Sequence, residues 1–232
     1  MGAMTLIAID TTTAWCAVAL ARRSNGALAL VAQASERIGR GHAERLMPMV
    51  TQVLGEAGIT YGDLRRIAVT TGPGSFTGLR VGLAAARGFG LALQIDTVGI
   101  SVLDALCRQA RALGTRLPVA AAIDAKNGEV YGQIMTGTGR LSSRAALMGI
   151  APFVELLPAA PVIVIGSAAA ALAEAAGPLG KSVKDALVVE AAEIETVAAL
   201  GAEADPRVAP AKPLYLRPPD AKPQIHKRIA RQ

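Results

Sequence analysis

Apolar and polar positions alternate at the start of the chain and then change period. The stretch TLIAIDTTTAWCAVALARR reads as a strand, a turn over Asp10 to Thr13 and a second strand from Cys16 to Ala21. GALALVAQASE keeps the same two-residue rhythm, so the three segments predict an antiparallel meander. From His42 the rhythm lengthens. Leu46, Met49, Val50, Val53, Leu54 and Ala57 recur at helical spacing until Gly58, with Pro48 expected to start the regular helix or to kink it. The β-branched run Arg65 to Thr71 then predicts a strand, Thr77 to Leu93 a helix and IDTVGI another strand. Ser101 is placed to cap a helix over Val102 to Ala112, with Asp104 in the first turn, where a negative charge meets the positive helix end.

The second half repeats this plan more faintly. VAAAIDAKNGEVYGQIM predicts two strands joined by a turn at Lys126 to Gly128, followed by a glycine-rich hairpin around Gly137 and Gly139. Beyond lie a helix near Pro152 to Leu157, the strand PVIVIG, a helix from Ser167 to Ala176, a strand at Leu187 to Val189 and a helix from Ile194 to Ala204. Asp10 and Asp124 each end the first strand of a hairpin, an echo between the halves.

Composition narrows the class. At 232 residues, 52% hydrophobic but only 3% aromatic, the chain has to build its core from small aliphatic side chains. The longest uncharged stretch, between Glu155 and Glu174, is broken by Pro158, Pro161, Gly166 and Ser167, which suits a strand and helix rather than a bilayer span. No basic segment followed by an apolar one opens the chain, so a cytoplasmic location and no membrane partner are expected. Cys16 and Cys107 form no CxxC, hence no metal knuckle. Charge is concentrated at the end: Lys212, Arg217, Lys222, Lys227, Arg228 and Arg231 against Asp220 give +5 of the chain's +6. That tail is either a solvated terminus or a contact for nucleic acid.

Gly72-Pro73-Gly74-Ser75-Phe76-Thr77-Gly78 links a strand to a helix, where free backbone N–H groups favour an anion. The loop fails the templates GxxxxGK[ST], GxGxxG and GxSxG, leaving a generic anion site or a tight turn. Gly78, Gly82, Ala86 and Gly90 then lay small residues along one helix face. Glycine in a helix interior costs about 1 kcal/mol relative to alanine, so something has to approach that face closely. Two partners meet the requirement: the protein's own sheet, or a helix of a second molecule. Met47 and Met49 widen the apolar arc of the preceding helix and favour the second.

LIAIDTTT, GHAERLMPMV, TTGPGSFTGLRVGLAAARGFG, IDAKNGEVYG and PLYLRPPDAKP, in that order, resemble the TsaB (YeaZ) family of bacterial tRNA threonylcarbamoyladenosine biosynthesis proteins. The resemblance implies an α/β fold of two tandem actin-like ATPase (ribonuclease H-like) domains, each a mixed five-stranded sheet flanked by helices. It divides the chain into residues 4–112, 113–210 and a basic tail, 211–232. It also implies a non-catalytic partner of the transferase TsaD, joined by TsaE, with ATP used by TsaE, tRNA met only through the complex, and a homodimer when TsaD is absent.

The partner interface expected from the resemblance comprises Leu46, Met49, Val50, Val53, Leu54, Gly78, Leu79, Gly82, Leu83, Ala86 and Gly90. A residual nucleotide or anion site would draw on Asp10, Thr12, Gly72, Gly74, Ser75 and Asp124. Superfamily ATPases carry a glycine where this chain has Thr12, and TsaD-like proteins carry metal-binding histidines where it has Ser101 and Ala105. No catalytic residue, cofactor or metal is therefore expected. An active ATPase or kinase using Asp10 and Asp124, or a peptidase-like protein, is the alternative. The peptidase would need a catalytic histidine, and His42 at a helix start reads as a surface or capping residue.

Overall fold

The computed structural model describes residues 4–217. Two five-stranded sheets carry the same plan. In the first, β1 (Met4–Asp10), β2 (Trp15–Ser24) and β3 (Ala27–Arg37) form the predicted antiparallel meander, and β4 (Arg66–Thr70) and β5 (Asp96–Ile100) continue in parallel beyond β1, in the order β3-β2-β1-β4-β5. In the second, β6 (Val119–Asp124), β7 (Glu129–Met135) and β8 (Ala146–Gly149) are the meander, with β9 (Val162–Ile165) and β10 (Val183–Leu187) in parallel beyond β6. The order β8-β7-β6-β9-β10 reproduces the first sheet strand for strand. The faint echo between the halves is a structural repeat.

Helices cover both faces of each sheet, which is why Leu6 to Ile9 of β1 are apolar without a break instead of alternating with polar residues. Ile7 and Ile9 face α1 (His42–Glu56) and α2 (Phe76–Leu93), whereas Leu6 and Ala8 face the layer formed by α3 (Val102–Ala112) and α6 (Ile194–Glu203). That inner layer also receives Val119, Ala121, Ile163 and Ile165 of the second sheet, so one core spans both lobes. On the far side of the second sheet, α4 (Ile150–Glu155) and α5 (Ala169–Ala176) complete the stack. Among the described residues no helix is long and apolar enough to cross a membrane.

Several details depart from the sequence reading. Helix α1 starts at His42 and runs through Pro48 instead of beginning there. Strand β8, absent from the expected elements, is four half-buried residues. The predicted strand at Leu187 to Val189 lies earlier, as the edge strand β10. The division at residue 112 is not respected by packing: α6, assigned to the second domain, lies on β1, β2 and β4 of the first sheet. Arg66 fixes it there, donating from Nη1 to the carbonyls of Gly201 (3.1 Å) and Ala204 (2.9 Å) at the helix's negative end. The expected basic tail begins as ordered structure, with Leu214 N–H bonded to Thr71 O at 2.8 Å. The rest of it, 218–232, lies outside the described residues.

Candidate functional site

The glycine-rich loop ends β4 and starts α2, and what it holds is the chain's own first hairpin. Ser75 N–H donates to Thr12 O at 2.6 Å, and Thr11 Oγ1 donates to Gly78 O at 2.7 Å. A side chain at Gly74 would collide with the Thr12 carbonyl, and one at Gly78 with the Thr11 carbonyl. A Cβ at Gly82 would sit 2.5 Å from Thr11 Oγ1, and one at Gly90 would strike Thr97 Oγ1. The small-residue stripe thus admits the protein's own β1–β2 turn and β5. Ser75 also caps α2, accepting from Gly78 N–H at 3.3 Å.

Asp10 and Asp124 occupy equivalent corners of the two sheets. Asp10 is buried, and its Oδ1 accepts from Thr12 N–H (2.9 Å), Thr12 Oγ1 (2.6 Å) and Thr70 Oγ1 (2.7 Å). Asp124 is exposed and makes the matching turn: its Oδ1 accepts from Lys126 N–H at 2.9 Å and its Oδ2 pairs with Lys126 Nζ at 3.0 Å. Those bonds, the backbone one foremost, hold the Asp124 carboxyl below its ordinary range. Gly72 has φ 96° and faces the Leu214 carbonyl of the C-terminal segment, which covers it. Hence Asp10, Thr12, Gly72, Gly74 and Ser75 do come together, but as a self-bonded corner. The Thr12 side chain and carbonyl pack directly against the loop at Gly74.

The expected interface residues fall on the wrong side of their helices. Leu46, Met49, Val50, Val53 and Leu54 of α1, and Gly78, Leu79, Gly82, Leu83 and Ala86 of α2, are buried against the first sheet, and Gly90 packs on β5. A second molecule cannot reach them in the folded chain. Outward from the same helices point Met47 (42% exposed), Ala84, Gly88 and Leu91 (83% exposed), with Val81 and Ala85 half-buried beside them. A Cβ at Gly88 meets nothing within 4 Å, so this second run of small residues is the open one.

His42 is buried too, not a surface residue: its Nε2 donates to the carbonyls of Thr13 (3.0 Å) and Trp15 (3.2 Å), pinning α1 to the hairpin. Ser101 precedes α3 with its Oγ buried and without a hydrogen-bond partner among the described residues, and Ala105 is fully buried. Among the described residues no three His, Cys, Asp or Glu side chains cluster as a metal site. Sequence reading missed Thr11 and Thr70, which set the corner, and Arg217, whose Nη2 bonds Ala125 O (2.7 Å) and Glu129 (2.8 Å). The threonine run after Asp10 was the available signal for the first. Nothing local marks Arg217.

Paired ribonuclease H-like lobes, each with an aspartate-ended hairpin beside a crossover helix, define an actin-like ATPase-type fold. The family model described as TsaD, tRNA N6-adenosine threonylcarbamoyltransferase, matches residues 34–198. YeaZ from Pseudomonas aeruginosa superposes with a TM-score of 0.73 at 30% identity, over 92% of this chain and 100% of that one. The tRNA threonylcarbamoyladenosine biosynthesis protein TsaB of Escherichia coli (strain K12) is 38% identical over 128 residues, 55% of this chain and 53% of its own length. An uncharacterized protein of Mycobacterium tuberculosis is 35% identical over 221 residues, 94% of each chain. The chain belongs to the TsaD family and, within it, to the TsaB (YeaZ) group. It spans about half the length of the curated TsaB relatives it matches.

Proposed function

We propose that this chain is a non-catalytic subunit in the synthesis of threonylcarbamoyladenosine in tRNA, binding and activating the transferase TsaD, with TsaE as the ATP-consuming third member. The observation carrying this reading is the self-filled corner: Thr11 and Thr12 occupy the ground between hairpin and glycine loop, in a chain similar to proteins named for this pathway. The same packing weighs against an active ATPase or kinase. The partner is met through the outward face of α1 and α2, around Met47, Val81, Ala85 and Gly88, and the same face joins two copies when TsaD is absent. The chain acts in the cytoplasm, where tRNA is modified.

Mass spectrometry of tRNA nucleosides after reconstitution with the cognate TsaD and TsaE, with and without this chain, tests the reading. Threonylcarbamoyladenosine is expected only when the chain is present, with no ATP hydrolysis by the chain alone. Equal modification in its absence would overturn the subunit role.

A further inference from the structure

Only seven aromatic residues occur in the chain, and two of them are kept side by side on the surface. Phe76, at the start of α2, is 54% exposed and Tyr215, in the C-terminal segment, is 50% exposed. Their ring centroids are 5.6 Å apart with planes inclined by 35°. The Arg80 guanidinium lies over the Phe76 ring at 3.9 Å from its centroid, and its Nε reaches the Tyr215 hydroxyl at 3.4 Å. Burial of apolar area cannot explain two half-open rings, and the hairpin contacts of the loop involve neither.

The ground around them is positive. Arg80 and Arg87 of α2 and Lys212 of the C-terminal segment are the cations of this corner, whereas Arg66 is bonded to α6, Arg207 pairs with Asp205 and Arg217 with Glu129. Arg80, Arg87 and Lys212 are exposed, and Arg87 ties α2 to the segment through the Ala211 carbonyl at 2.6 Å. Beyond Arg217 the sequence adds Lys222, Lys227, Arg228 and Arg231 against Asp220. An aromatic platform with a stacked arginine beside the exposed Arg87 and Lys212 has the chemistry that holds unpaired nucleobases and their phosphates. A protein partner would need acidic groups opposite Arg80, Arg87 and Lys212, and the outward apolar face of α1 and α2 begins one turn further along α2, at Ala84.

We infer that Phe76, Arg80 and Tyr215 form a contact for single-stranded RNA, on which an unpaired base stacks while Arg80, Arg87 and Lys212 face the backbone. This rests on the tRNA-modification reading for its biological setting, but its test does not. Binding of the full chain to a fluorescein-labelled RNA hairpin with a seven-base loop is measured by anisotropy across a salt series. Phe76→Ala combined with Tyr215→Ala is expected to weaken binding about tenfold with the salt slope unchanged, as loss of stacking does. Arg80→Gln is expected to flatten the slope by about 0.7, the share of one phosphate contact on a single strand. Phe76→Tyr, which keeps a ring, is expected to bind like the parent chain, and superimposable circular dichroism spectra confirm that each variant folds.

Unchanged affinity in the Ala variants, or no RNA binding by the parent chain, overturns the inference. If the Ala variants bind RNA normally but lose TsaD on copurification, the platform is a protein interface; the inference falls while the subunit role stands.

Discussion

Asp10 shows how one side chain organises a corner between two strands. Its Oδ1 gathers three hydrogen bonds from Thr12 and Thr70, which fixes the end of β1 against β4 and sets Thr11 where only a glycine can pass. A few residues away, burial foremost and then the Asp10 charge push the Cys16 thiol up to about 11. Burial and then Asp104 push Cys107 up to about 12. Both thiols stay protonated and sealed at neutral pH. At pH 8 iodoacetamide should leave the native chain unmodified and alkylate both cysteines in guanidinium, as mass spectrometry would reveal. The raised values also set a sign. The folded state disfavours the thiolate, so this contribution is complete below about pH 9, the ordinary thiol value, and is lost as pH climbs towards 11 to 12. Chemical denaturation should show the loss on the alkaline side.

At the scale of elements, α2 presents two glycine faces with opposite consequences. Gly82 lies against Thr11, whose hydroxyl an added Cβ would approach to 2.5 Å, whereas Gly88 looks into open space. Gly82→Leu should therefore lower stability by about 1 to 3 kcal/mol or prevent folding, the cost of overpacking. Gly88→Leu should keep or raise the melting temperature, because leucine is the better helix former by nearly 1 kcal/mol. On the proposed interface, Gly88→Leu should nevertheless abolish copurification with TsaD; a folded Gly88→Leu chain that still binds TsaD would remove that face from the proposal.

The sequence made the helix and its small-residue spacing legible, as it did the meander and α3. It did not say which of two small-residue runs faced inward, because both recur at helical spacing and only the position of Thr11, far along the chain, decides. Strand β8 escaped and β10 was placed too late, each for a local reason. The first is four residues with no alternation, and the second is an edge strand with a register shift and the polar pair Lys184 and Asp185. Of the candidate site, the glycines and Asp10 were legible as a group. Their occupant was not, since a loop built to admit a backbone carbonyl resembles one built to admit a phosphate.

Across the whole molecule the two lobes cannot be separated at the point where the sequence repeats. Leu6, Ala8, Ala19, Ala68 and Val98 of the first sheet share a core with Val197, Ala198 and Ala202 of α6. Gly201 packs directly on Ala68, where a Cβ would collide with that of the alanine. Residues 1–112 alone should therefore lack a cooperative thermal transition, while the intact chain melts as one unit; a sharp transition in the truncated chain would show that the first sheet does not need α6.

That arrangement has a consequence for how the protein is made. A chain emerging from a ribosome delivers the first sheet early and its inner cover some 90 residues later. At roughly 5 to 20 residues per second, the uncovered face waits on the order of 5 to 20 s. During that interval small aliphatic residues of β1, β2 and β4 stand open to solvent. Vectorial synthesis is thus most hazardous for this protein in its middle third, before α6 arrives to close it.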